Sequence, residues 1–177
     1  MFTLTKLQMF LLSQFNVLRY RDQSGDDQAM KIGFTGTRSG MTEEQIKVLI
    51  KVLLYAVEIT EVHHGDCVGA DAQFHDLIRK IDPGRLIKIV GHPASNFRHY
   101  QRANKECDEL REAKPSLIRN HDIVDECDDL IAAPKGTTEI LRSGTWSTIR
   151  YAGKQKKEIF IVEPSGNIKT INVNVLV

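Results

Sequence analysis

Cysteine is scarce in this chain: Cys67, Cys107 and Cys127 are the only three in 177 residues, an odd number with no Cys-x-x-Cys pair. That excludes a disulfide framework and a zinc-ribbon ligand set, and it suits a reducing compartment, so the expected location is cytoplasmic. Net charge is also nearly absent, with 24 basic against 23 acidic residues for a balance of +1. A chain without a global basic footprint is not built to hold duplex DNA or a membrane surface, and nucleic acid is not an expected partner. No apolar run is long and clean enough to span a bilayer. The nearest, "MFTLTKLQMFLLSQFNVLRY", is broken by Lys6 and interleaved with Gln8, Ser13, Gln14 and Asn16, and no small-residue cleavage site follows it.

What is present is an alternation of strand and helix patterns that starts at Met30. "KIGFTG", "TEVHH", "RLIKIVGHP", "DDLIAAP" and "EIFIV" read as strands, and "IKTINVNVLV" as an edge strand after the "PSGN" turn. Between them, Thr42 and Gln45 form a capping box ahead of Ile46, Leu49, Ile50, Leu53 and Val57 at helical spacing. Phe74, Leu77, Ile78 and Ile81 give a second helix its apolar face, and "RNHDIVDEC" a third, with Ile123, Val124 and Cys127 inward. A fourth opens at Ser143 or Gly144, with Trp146, Ile149 and Ala152 inward. Residues 94–116 have no clean period and read as a mobile loop with a short helix. The pattern predicts an α/β fold, a mostly parallel sheet with helices on both faces. Residues 1–29 read as an N-terminal extension, joined by the polar "RDQSGDDQA" to a single domain over 30–177. The extension's apolar face is suited to docking on the domain or on another subunit, and Met30 is a second candidate start of translation.

In open α/β sheets ligands bind beyond the carboxyl ends of the strands. There this chain carries "TGTRSG", "HGDCVGAD", "GHP", "APKGTTE" and "RSGTW", which concentrate glycine, small hydroxyls and charge. A helix N-terminus offers unpaired N–H groups and partial positive charge, and glycine lets an anion come close, so phosphate is the natural guest. "GFTGTRSG" is neither a G-x-G-x-x-G fingerprint nor a Walker loop, so the argument rests on the joint placement of the five segments.

The run "HHGDCVGAD" allows three readings. A metal site would draw on His63, His64, Cys67, His75 or His92, but adjacent strand residues point to opposite faces, so His63 and His64 do not share one ion, and neither a metal nor a cofactor is expected. Cys67 as a nucleophile, activated by a helix N-terminus with His64 or His92 as base, is the second. The favoured reading is an anion-binding turn, with Asp66 and Asp71 serving as helix caps, ligand contacts or both.

Taken together and in order, "FTGTR", "HGDCVGAD", "HP", "LIRNHDIVDECDDLIAAPK" and "RSGTWSTIRYA" resemble the SLOG superfamily of nucleotide-binding domains, on its YspA-like branch, whose relatives include the LOG phosphoribohydrolases and DprA. The resemblance runs from about Met30 to Val162. It implies a Rossmann-like three-layer sandwich with a nucleotide or phosphorylated nucleoside derivative over the carboxyl edge. Motif matches assign Gly36, Thr37 and Arg38 to the ligand from the first loop, His64, Gly65, Asp66, Gly69 and Asp71 from the second, and His92 from the third. Arg119 and Asn120 fall where the family has an arginine before a helix, and Pro134, Ser143, Gly144 and Thr145 fall in the last phosphate-binding segment.

The chain departs from the LOG enzymes: Thr148 stands where their glutamate would, and Glu139 lies near but not at that position under the rival placement through Pro134. Asp66, Asp71 and Glu139 are the carboxylates that a catalytic reading would use. Three functions follow. The first is a nucleotide-binding sensor, carrier or sequestering protein, for which a homodimer is one fitting assembly. The second is a nucleoside monophosphate N-glycosidase or related transferase. The third is DprA-like binding of single-stranded nucleic acid through Arg98, Tyr100 and Arg102. Because strand and capping patterns begin only at Met30, residues 30–177 alone are expected to melt cooperatively. Loss of that transition in the truncated chain, with the full chain sound, would make residues 1–29 part of the core.

Overall fold

The computed structural model describes residues 29–55, 59–96, 98 and 101–171. The N-terminal extension, apart from its last residue, lies outside them. In chain order the elements are β1 (Met30–Gly36), α1 (Glu43–Tyr55), β2 (Ile59–His64), α2 (Ala70–Ile81), β3 (Lys88–Gly91), β4 (Glu109–Leu110), α3 (Ser116–Asp125), β5 (Asp129–Ala133), α4 (Gly144–Lys154), β6 (Glu158–Val162) and β7 (Ile168–Ile171). The strands form one sheet in the order β4-β3-β2-β1-β5-β6-β7, parallel throughout except for the antiparallel β6-β7 pair. No helix among the described residues is long and apolar enough to cross a membrane.

The two-residue period of the strands divides the core into layers. Ile32, Phe34, Ile131, Ala133, Phe160 and Val162 pack with Leu49, Val52 and Leu53 of α1 and Phe74, Leu77 and Ile78 of α2. The intervening residues Leu130, Ala132, Ile159 and Ile161 pack on the other side with Val124 of α3 and Trp146, Ile149 and Ala152 of α4. The result is an α/β, Rossmann-like three-layer sandwich. Strands buried on both faces read as nearly continuous apolar runs, which is why "DLIAA" is buried along its whole length. Strand order reverses at β1: α1 and α2 carry the chain outward to β3 on one side, and α3 returns it to β5 on the other. A crevice at the carboxyl ends of β1 and β5 is the geometric consequence.

Gln45 links this core to the carboxyl edge. Its side chain completes the capping box, accepting from the Thr42 N–H at 2.9 Å while Thr42 Oγ1 accepts from the Gln45 N–H at 3.1 Å. The same amide donates from Nε2 to Pro134 O at 3.0 Å and to Val162 O at 2.8 Å, so a residue only 1% exposed ties α1 to the ends of β5 and β6.

Two expectations need correction. The 94–116 connection holds a 3-10 helical position at Gln101, beside residues outside those described, and Ser116 already opens α3; it also adds the unexpected short edge strand β4 and pairs with the β2–α2 loop through a Cys67–Arg102 bridge. Its polar side chains find partners across space rather than along the chain, which leaves no periodic signal. The third helix also starts earlier than "RNHDIVDEC", so Arg119 lies inside α3 rather than before it.

Replacing Gln45 with Leu should destabilise the fold by roughly 2 to 3 kcal/mol, because buried carbonyls lose their donor, against about 1 kcal/mol for Thr42→Ala, which removes only a cap. Urea titration of both variants checks this. Equal costs would reduce Gln45 to a capping residue.

Candidate functional site

A cavity of about 100 Å3 opens at the carboxyl edge, between the end of β1, the β2–α2 loop and the N-termini of α3 and α4. Thr35, Gly36 and Arg38 line it from the first strand and loop, and Gly65, Cys67 and Asp71 from the second. Ser116, Leu117, Arg119, Asn120 and Ile123 of α3 and Gly144 and Thr145 of α4 complete it. A volume of this size holds a phosphate or part of a sugar, well short of the several hundred Å3 of a pocket that encloses a whole drug-sized ligand.

The α4 end of the cavity is built for an anion. Ser143 is the N-cap, its Oγ accepting from the Trp146 N–H at 3.4 Å. The N–H groups of Gly144 and Thr145 are thereby left as first-turn donors without an intrahelical acceptor. Thr145 Oγ1 donates to Gly36 O at 2.9 Å, fixing α4 to the end of β1. A Cβ added at Gly144 would meet nothing within 4 Å, so packing makes no demand for glycine there. Its exposed backbone faces the cavity unobstructed.

Other glycines answer to the fold. A Cβ at Gly65 would fall on Arg119 Nη1, and one at Gly36 on Ala70 Cβ. Gly69 is the α2 N-cap at φ +87°, packed against the Arg38 carbonyl, while the Ala70 N–H donates to Thr37 O at 3.0 Å. The first two loops are therefore locked together by backbone contact. Arg119, 5% exposed, donates from Nη1 to His92 O at 3.1 Å and from Nη2 to Cys67 Sγ at 3.4 Å.

These surroundings set the chemistry of the second loop. Burial, reinforced by the neighbouring Asp71 carboxylate, pushes the Cys67 thiol up to about 12. A group that remains a thiol at neutral pH is a poor nucleophile, which counts against the Cys67 reading. Burial also raises Asp71, with Arg119 pulling the other way, while Asp71 Oδ2 accepts from the Cys67 N–H at 3.3 Å. Asp66 is wholly buried in the left-handed region at φ 50°; Oδ2 accepts from Arg102 Nε at 2.6 Å and Oδ1 from the Lys105 N–H at 3.0 Å. It holds the 101–105 segment against the β2–α2 loop. Neither aspartate caps α2 through its side chain.

Of the residues singled out from the sequence, Gly36, Arg38, Gly65, Asp71, Arg119, Asn120, Gly144 and Thr145 line the cavity. Thr37, His64, Asp66, Gly69, His92, Pro134 and Ser143 do not line it. Glu139 is elsewhere, paired with Arg150 at 2.7 Å on the surface. Sequence reasoning missed Ser116 and Leu117 because the start of α3 was not recognised, and it read Ile123 as a core residue of that helix rather than as cavity lining. His63 and His64 do face opposite sides of the sheet, and each meets a second histidine: His63 Nδ1 lies 2.8 Å from His92 Nε2, and His64 Nε2 lies 3.1 Å from His75 Nδ1. No family model and no curated protein matches this chain.

Burial lowers all four of these histidines below the usual 6.5, His92 to about 3. The unfolded chain takes up protons first as pH falls, so their contribution to stability is complete above about pH 6.5 and is lost progressively toward about 3 for His92. His92 alone should cost about 2 kcal/mol at pH 5. Asp71, shifted upward, opposes this only in part. Melting curves should therefore show Tm several degrees lower at pH 5 than at pH 7.5; a flat profile would mean that these side chains are charged when folded.

Proposed function

We propose that this protein binds a nucleotide or phosphorylated nucleoside derivative at the carboxyl-edge cavity, as a sensor, carrier or sequestering protein of the SLOG type. The observation that carries the reading is the bare Gly144 backbone at the start of α4, set in one cavity with Arg38 and Arg119. Helix N-terminal donors and guanidinium groups around one small volume suit a phosphoryl group. The cavity's size suits phosphate or phosphoribose inside and a base outside, where Leu117, 59% exposed, offers an apolar rim.

Phosphoribohydrolase chemistry is the second reading, and one feature favours it. Asp71 is a carboxyl group on the cavity wall, raised by burial, as a general acid in N-glycosidic cleavage would be. Against it, Thr148 stands at the position of the LOG glutamate and donates its hydroxyl to Gly144 O at 3.0 Å. DprA-like strand binding has less support, because the Arg102 guanidinium is engaged by Asp66; Tyr100 lies outside the described residues.

Calorimetric titration with a panel of nucleoside mono-, di- and triphosphates tests the binding. Arg38→Ala should cost roughly 1.5 to 3 kcal/mol of affinity, most for the more phosphorylated ligands, with Tm unchanged. Gly144→Val should abolish binding while leaving the fold intact, since its side chain would enter open space. Asp66→Asn should lower Tm instead. Wild type that binds no nucleotide overturns the proposal, as would normal binding by both cavity variants. Incubation with nucleoside monophosphates should release no free base; release that disappears in Asp71→Asn would establish the enzymatic reading.

A further inference from the structure

The face of β2 opposite α2 carries a second array of ligand-type atoms, independent of the carboxyl-edge cavity. His63 and His92 are 0% and 1% exposed, with Nδ1 of the first 2.8 Å from Nε2 of the second. Glu126, the C-cap of α3, places Oε2 3.8 Å from His63 Nδ1. The three donor atoms lie within 4.8 Å of one another.

The tautomer of His63 follows from its other nitrogen. Nε2 is 2.6 Å from Glu61 Oε1, and Glu61 is flanked by Lys31 at 3.5 Å and Lys88 at 3.4 Å. A carboxylate so placed accepts, so Nε2 carries the proton and the Nδ1 lone pair points at His92 and Glu126. A carboxylate behind a histidine whose second nitrogen is open is the usual support for a metal-ligating imidazole. In the ion-free protein His92 Nε2 therefore donates to His63 Nδ1, but His92 Nδ1 has no hydrogen-bond partner among the described residues, so the proton can move to Nδ1 and free Nε2 when an ion enters. Arg111 holds Glu126 Oε2 from Nε at 2.9 Å and Nη2 at 2.6 Å. Both bonds fall on Oε2, so an ion entering here displaces one of them or takes the lone pairs of Oε1.

The corresponding group on the other face, His64, His75 and Cys107, differs in this respect. There the Asp66 N–H donates to His64 Nδ1 at 3.0 Å, so His64 Nε2 must bear the proton that it shares with His75. The atom facing Cys107 is an N–H, and the Asp66 backbone N–H on the other ring nitrogen keeps that proton from moving.

We propose that His63, His92 and Glu126 form a binding site for a first-row divalent cation of the zinc class, with Glu61 as the outer support of His63. Two imidazoles and one carboxylate suit such an ion better than magnesium or calcium, which prefer all-oxygen sites. Ligands about 2.0 to 2.2 Å from a tetrahedral ion sit roughly 3.3 Å apart, so the present separations of 2.8 and 3.8 Å reach that geometry by movements of about half an ångström. The ion would join β2, the segment after β3 and the end of α3, and would leave a fourth position open.

Chelator-stripped full-length protein, titrated with Zn2+ by calorimetry and with Co2+ by absorption, tests this. One ion per chain is expected, with visible cobalt d–d bands, no thiolate charge-transfer band in the near ultraviolet, and a Zn2+-induced rise in Tm. Glu126→Gln, at a half-exposed position where folding should survive, is expected to weaken binding at least tenfold and to abolish the rise. Glu61→Gln should weaken it roughly 10- to 100-fold, and Cys107→Ser should change nothing. Absence of binding to wild type overturns the proposal, and so does wild-type affinity in Glu126→Gln. A charge-transfer band lost in Cys107→Ser would likewise overturn it, placing the ion on the opposite face.

Discussion

A guanidinium removed from water must be given acceptors, and the carboxyl edge of this sheet is shaped by that requirement at Arg119. Its two terminal nitrogens take the His92 carbonyl and the Cys67 sulfur, which fixes the loop after β2 to the segment after β3. The space it occupies exists only because residue 65 has no side chain. The same positive charge opposes the desolvation of Asp71 beside it. A buried cation without such partners would cost several kcal/mol. With them, it forms a fixed positive wall of the cavity.

Around that wall, the loops are held from behind by groups that never reach the cavity. Asp66 collects Arg102 and the Lys105 N–H, converting an irregular stretch without periodicity into a backing layer for the β2–α2 turn. Gln45 does the corresponding work across β5 and β6. Gly69 allows the first two loops to touch backbone to backbone. The contrast with Gly144 is informative. Glycines at 36, 65 and 69 are explained by steric demand, whereas the one at 144 faces open space on the cavity wall, where what it permits is approach from outside.

The end of β2 shows how one strand can carry two different polar devices. Successive side chains alternate faces, so His63 and His64 enter separate layers, one toward α3 and the other toward α2. On one face the backbone N–H of Asp66 consumes a ring nitrogen and closes a hydrogen-bond chain. On the other, a carboxylate takes the outward nitrogen and leaves the inward one as an acceptor facing His92. The same residue type thus acquires opposite chemistry from its second nitrogen's partner.

Local rules were enough to read most of the elements, though not β4. The two-residue period of the strands, the capping box at Thr42 and Gln45 and the N-cap at Ser143 act over a few residues, and they located the sheet, its helices and the edge where glycines and charges gather. Half of the residues singled out there, among them Arg38, Asp71, Arg119 and Gly144, come together around one volume. What local pattern could not supply was the choice between wall and support. Asp66 and Asp71 are equivalent in the sequence, yet one is turned to Arg102 and the other to the cavity, because the sign of φ at residue 66 and the position of a segment some 36 residues away decide it. The start of α3, the pairing of His63 with His92 and the reach of Glu126 depend likewise on contacts between elements distant in the chain. Those contacts have no period, and only the folded sheet brings them within hydrogen-bonding distance.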